Sequence, residues 1–289
     1  MVLSSRLRIT KAALPFAIFQ LVLPAVCVSA APSATQNAAP AKPAPAAAEV
    51  PAAISETESK IAGARSMTIS SSTGGTLLPG SPIKMRATME RPSSLRLIIT
   101  RDGKYLGTVV TGPNGGYVYD AAGNRYLKTE KGTNDQDTVR NAFAAADSIL
   151  PSGTVLGMFA TVSFLMKPLP LEIPPSGDFK SHSTDDTVNG TAVTHFTETI
   201  SHGTTATAFE AYVNKKTGMP VKVSLSGKKD GQDTGSLISD FDSFELGDTQ
   251  PASTFEYTPP AGATAYVPPA PLPDPDLKAP DNTPAPAAK

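Results

Sequence analysis

The chain has 289 residues, of which 40% are hydrophobic and 18% charged, with a formal net charge of −1 and a single cysteine, Cys27. That length holds one large domain or two ordinary ones, and one cysteine excludes an intrachain disulfide scaffold. No basic block accompanies the near-neutral charge, so nucleic acid is not an expected partner.

Residues 1–30 read as an export signal. Arg6, Arg8 and Lys11 make a positive start, Ala12 to Val28 is apolar apart from Gln20, and Val28, Ser29 and Ala30 offer small side chains for cleavage after Ala30. The alternative is a retained anchor, against which stand the shortness of the run and its Pro15 and Pro24. Val26 is too large to precede a lipidated Cys27. Cleavage removes three basic residues and no acidic one, taking the charge from −1 to −4 and leaving no cysteine. The expected location is periplasmic or otherwise extracytoplasmic.

Residues 31–53 form an Ala/Pro linker, and the stretch from Pro268 to the end is a similar Pro-rich tail. Between them lies one folding unit, 54–267. A short helix opens it, capped by Ser55 with Glu58 three residues on. A strand follows at 66–71. Over 82–90, Ile83, Met85, Ala87 and Met89 share one face while Lys84, Arg86, Thr88 and Glu90 share the other, which is the period of a strand with one wet side. Leu95, Leu97 and Ile99 repeat it. Asp102-Gly103 predicts a hairpin turn, as does Asn189-Gly190. Strands at 105–110, 117–120 and 125–128 complete the first half.

Asn134 or Asp135 caps a helix over 136–149, which Pro151 stops. Thr154 to Met166 is apolar on nearly every side and too short to span a bilayer, so it must be covered by protein. Strands return at 178–186, 192–200, 205–213, 221–226, 235–246 and 254–258. Short turns between successive strands make them antiparallel neighbours.

The runs Arg91-Pro92-Ser93-Ser94-Leu95-Arg96, Asp102-Gly103, Tyr117-Val118-Tyr119-Asp120, Asn214 to Lys222 and Thr254 to Gly262 carry a resemblance. Over about 54–262 the chain resembles the LolA/LolB-like superfamily of periplasmic lipoprotein carriers, and is most similar to its predicted periplasmic proteins of unknown function. The resemblance implies an α+β fold: a strongly curved antiparallel sheet, an incomplete barrel of about ten or eleven strands, with helices packed in its concave side. It also implies an apolar cavity that holds acyl chains. Arg86 and Arg96 lie on strand faces read as wet, so neither matches the buried strand arginine of the carriers.

Residues expected to line such a cavity are Met67, Met85, Met89, Leu97, Tyr117, Tyr119, Phe159, Phe164, Phe209 and Phe241. Methionine repacks easily around variable apolar ligands, although an ordinary filled core shows the same alternation. Catalytic motifs are missing: no Gly-x-Ser-x-Gly, His-Glu-x-x-His, P-loop or dinucleotide fingerprint occurs. No cofactor and no metal is expected. The three histidines, His182, His195 and His202, read as exposed strand residues, and Asp185, Asp186, Asp240 and Asp242 as turn and surface carboxylates. The expected function is a non-enzymatic binding or carrier protein whose partner is a lipid or the acyl chain of a lipoprotein. The alternatives are an envelope sensor or scaffold that binds another protein through sheet edges and Pro-rich tails, and a hydrolase with a dispersed site.

Overall fold

The structure, a computed structural model, describes residues 52–158 and 178–267. The expected signal, nearly all of the linker, the Pro-rich tail from 268, and Phe159 and Phe164 lie outside the described residues. Helix α1 (Ala52–Gly63) leads into six strands: β1 (Ser66–Gly74), β2 (Ile83–Glu90), β3 (Ser94–Arg101), β4 (Lys104–Gly112), β5 (Gly115–Asp120) and β6 (Arg125–Thr129). Helix α2 (Asp135–Ile149) follows, and residues 154–158, the last described before 178, are helical. The second half is β7 (Asp178–Val188), β8 (Thr191–His202), β9 (Thr205–Asn214), β10 (Pro220–Lys229) and β11 (Gln232–Gly247), then a 3-10 turn (Ala252–Phe255) and β12 (Thr264–Ala265).

All twelve strands join one sheet, in the order β12-β6-β5-β4-β3-β2-β1-β11-β10-β9-β8-β7. The hairpin turns form where the dipeptides demand them. Asp102-Gly103 has φ of 52° and 71°, and Asn189-Gly190 has 49° and 79°. Both residues of each turn sit in the left-handed region, as a type I′ hairpin requires.

The expected fold class is overturned. The sheet is mixed, has twelve strands and does not close, and the described residues are 54% strand against 18% helix, with only three short helices. The difference lies in the last segment. Residues 254–258 do not pair as a strand: Pro251 opens the 3-10 turn, and Pro259 and Pro260 offer no N–H to a ladder. The chain instead crosses β3 and β4 and reaches the far edge, where β12 runs parallel to β6. A crossing of this length permits a parallel pair, which a hairpin does not.

Register fixes which face is dry. Ala87 faces Leu97, Leu97 faces Val109, Val109 faces Val118 and Val118 faces Leu127 across five neighbouring strands. The first four of these are fully buried. We call this the inner face. Helix α2 packs on it over β4, β5 and β6 with Val139, Ala142, Ala146 and Ile149, spaced three and four apart. Asn134 caps α2 by accepting from the Asp137 N–H at 2.9 Å. Gly107 makes room for the helix's end: a Cβ there would lie 2.7 Å from Leu150 Cδ2 and 2.2 Å from Tyr119 O.

The crossing segment covers part of the outer face. Arg96 donates to the Thr254 carbonyl at 3.1 Å, Tyr257 meets Tyr117 and Tyr119 at ring distances of 6.1 and 6.2 Å, and Tyr266 N–H donates to the Tyr126 carbonyl at 2.7 Å. Arg125 ties the far end, bonding the buried Asp120 at 2.8 Å and lying 4.9 Å from the Tyr266 ring centre. Tyr257→Ala is expected to cost about 1–2 kcal/mol from lost ring contacts and to speed amide exchange at Thr264 and Tyr266. Exchange measured by NMR checks this; unchanged protection at both amides would contradict it.

Candidate functional site

Six of the expected lining residues come together. Met67, Met85, Met89, Leu97, Phe209 and Phe241 belong to one buried cluster on the inner face, none more than 9% exposed. Tyr117 and Tyr119 do not join them. Val118 points inward, so strand alternation sends both tyrosines to the outer face. There Tyr119 stacks on Tyr105 at 6.2 Å and donates to Asn124 at 2.9 Å. Burial raises the Tyr105 and Tyr257 phenols above their usual range.

The inner face is covered unevenly. Helix α2 lies over β4 to β6 and α1 lies over β9. Between them, the strip made by β1, β2, β3 and β11 meets Leu78, from the β1–β2 loop, and Met158, from the helical residues 154–158. Both side chains are almost fully buried. Residues 154–158 follow Gly153, whose φ of 83° suits glycine. Gly157 packs closely: a Cβ there would lie 3.2 Å from Ile83 Cδ1.

Two concavities formed by described residues are small. One, of about 20 Å³, lies by Met89, Pro92, Leu95 and Val139. The other, of about 100 Å³, lies between α1 and β9 by Lys60, Val213, Asn214 and Gly218. These volumes hold a few waters at most, well below the roughly 300–1,000 Å³ of small-molecule pockets.

Helix α1 is docked by specific bonds. Ile54, Thr57 and Ile61 are buried, and the Thr57 hydroxyl lies 2.8 Å from both the Ala53 and Gly218 carbonyls. Arg91 reaches from the loop after β2 to donate to the Ile61 and Ala64 carbonyls at 3.1 and 3.2 Å, satisfying the orphan acceptors at the helix end. Within this contact lie two carboxyls. Glu198, only 8% exposed, stands on the inner face of β8 opposite Phe209. Glu58 lies one helical turn from both Ile54 and Ile61. Burial raises the Glu198 carboxyl above its ordinary range, and the nearby Glu58 carboxylate raises it further. Burial likewise raises Glu58. The sequence carried the signal: Glu198 is in phase with Phe196 and Ile200, and Glu58 with Ile54 and Ile61.

His182 and His202 are exposed as expected, whereas His195 is half-buried. His195 stacks on Tyr212 at 4.1 Å on the outer face, with Nε2 4.0 Å from Glu210. Tyr212 and Ser224 both donate to Glu210, at 3.2 and 2.9 Å. Burial, with the Glu210 carboxylate beside it, pushes the Tyr212 phenol up to about 12. Among the described residues no three His, Cys, Asp or Glu side chains gather as a metal site, and no helix is long and apolar enough to cross a membrane. Asp185 pairs with Lys215 at 2.6 Å.

No family model and no curated protein matches the chain. Solved structures do. An uncharacterized conserved protein from Thermus thermophilus is 11% identical over 74% of this chain and 97% of its own, with a TM-score of 0.41. MucB in complex with MucA(peri) is 15% identical over 71% of this chain and 60% of its own, with a TM-score of 0.36. A LolA superfamily protein from Nitrosomonas europaea is 8% identical over 71% of this chain and 96% of its own, with a TM-score of 0.29. Likenesses this distant assign the chain neither a family nor a function.

The carboxyl pair has a consequence for stability. A raised folded pKa means that the folded chain holds protons which the unfolded chain has already released, so stability falls as pH rises from the ordinary glutamate value through the raised ones. Glu198→Gln is expected to raise the melting temperature at pH 7.5 and to flatten its dependence on pH between 4.5 and 7.5. Calorimetry across that range checks it; a variant less stable than the parent at pH 7.5 would contradict it.

Proposed function

We infer that the chain is a non-catalytic binding protein outside the cytoplasm, taking an apolar ligand such as a lipid or an acyl chain against the inner face of its sheet. One observation carries the reading. Among the described residues, the strip over β1, β2, β3 and β11, which includes Met67, Met85 and Met89, meets the β1–β2 loop and the helical residues 154–158 that follow Gly153, while the two longer helices pack to either side. Methionine side chains rearrange at low cost around a guest. The export signal read in residues 1–30 supplies the location.

Uptake of a fluorescent fatty acid, followed by native mass spectrometry, tests this. The protein is expected to bind one or a few chains saturably. Met158→Ala loosens the packing at residues 154–158, and is expected to cost about 2–5 kcal/mol of stability while taking up the probe several-fold faster. Absence of binding in both proteins, with the fold intact by circular dichroism, would overturn the proposal.

A further inference from the structure

The sheet ends at β7, and this edge differs from the other. The β6 edge is partly covered by β12, whereas β7 pairs with β8 along all eleven residues and, among the described residues, with no other strand. Asp178, Lys180 and every residue from His182 to Thr187 are exposed. The strand contains neither proline nor glycine, nor a shift in its register with β8. Apart from the Thr187 N–H, which donates to the Asp186 carboxylate at 2.6 Å, its outward N–H and C=O groups form a row ready to pair with another strand.

We propose that β7 pairs antiparallel with β7 of a second copy of this chain, about a two-fold axis at Ser183, joining two sheets into one. The charges select the occupant and the register. With Ser183 opposite its own copy, Lys180 of each chain faces Asp186 of the other. Ser181 then faces Asp185, His182 faces Thr184, and Phe179 faces Thr187, so no like charges meet. Moving the axis to His182 sets Asp178 against Asp186 twice. Moving it to Thr184 leaves Lys180 opposite Val188 and drops Asp178 and Phe179 from the ladder. Only the Ser183 axis pairs all eleven residues and both lysines.

The faces agree as well. Lys180, His182, Thr184 and Asp186 sit opposite Thr199, Thr197, His195 and Val193 of β8 and share one face of β7. A two-fold axis perpendicular to the sheet keeps like face beside like face, so each Lys180 meets its Asp186 on one side. Charges on an edge strand ordinarily discourage pairing. Here they favour the one register that sets each Lys180 against an Asp186, and the same patch serves both copies, as an isologous contact requires.

Sedimentation equilibrium and cysteine cross-linking test the proposal. In a Cys27→Ser background, Ser183→Cys is expected to form a disulfide dimer under mild oxidation, while Thr187→Cys, whose partner position is Phe179, is not. Lys180→Glu is expected to raise the dimer dissociation constant by about tenfold or more, since two attractive pairs become repulsive. Adding Asp186→Lys to it is expected to restore the dimer. A protein that stays monomeric at all concentrations, or a dimer indifferent to Lys180→Glu, overturns the proposal. Fatty-acid uptake by Lys180→Glu is expected to match the parent, which separates this result from that of the proposed function.

Discussion

A twelve-stranded sheet that does not close has a long apolar face and, among the described residues, no second sheet to bury it. The row from Ala87 through Leu97 and Val109 to Val118 runs straight across the strands, and each of its members is inaccessible to water. Burial of this kind contributes roughly 1.5–3 kcal/mol for each large side chain, so an uncovered strip of this width would dominate the energetics. The chain covers it in pieces. Helix α2 takes one flank and α1 the other, and single side chains such as Leu78 and Met158 meet the middle. Among the described residues, the middle is the part of the sheet held least by regular structure.

The pieces are fastened by polar bonds at their ends. Arg91 caps α1, Arg96 holds the carbonyl of Thr254, and Arg125 joins Asp120 to the end of α2 and to Tyr266. Two of these arginines frame the Arg91-Pro92-Ser93-Ser94-Leu95-Arg96 run on which the resemblance rested. Their role here is architectural: one locks the helix that opens the fold, the other locks the segment that closes it. Against these fastenings stands one local conflict, the pair of carboxyls at Glu58 and Glu198. Two acidic groups in an apolar contact weaken the docking of α1 as they ionise, and Thr57 and Arg91 offset that loss with hydrogen bonds.

Much of this was legible in the residues. The alternation of β2 and β3 identified the dry face correctly, because one side of each strand is wet and the pattern is unambiguous. Asp102-Gly103 and Asn189-Gly190 marked hairpins, because both positions need a left-handed backbone that few other pairs adopt. Tyr117 and Tyr119 were read onto the inner face because β5 has no wet side: α2 covers Val118 and the 251–258 segment covers the tyrosines. Alternation cannot tell two apolar faces apart. The final strand was misplaced because Phe255 and Tyr257 alternate like strand residues, while their prolines decide otherwise. Pairing between Thr264 and Arg125 depends on where a long crossing lands, and no local pattern records that. Phe159 and Phe164 lie beyond the described residues.

The central claim is that the methionine-lined strip accepts a guest. Selective labelling of the methionine methyl groups, observed by NMR during titration with a saturated fatty acid, addresses it directly. Met67, Met85, Met89 and Met158 are expected to shift together and to saturate together, while Met219, in the loop between β9 and β10, stays in place. Titration that moves only Met219, or leaves all five signals unmoved while the protein remains folded, would contradict binding on the inner face.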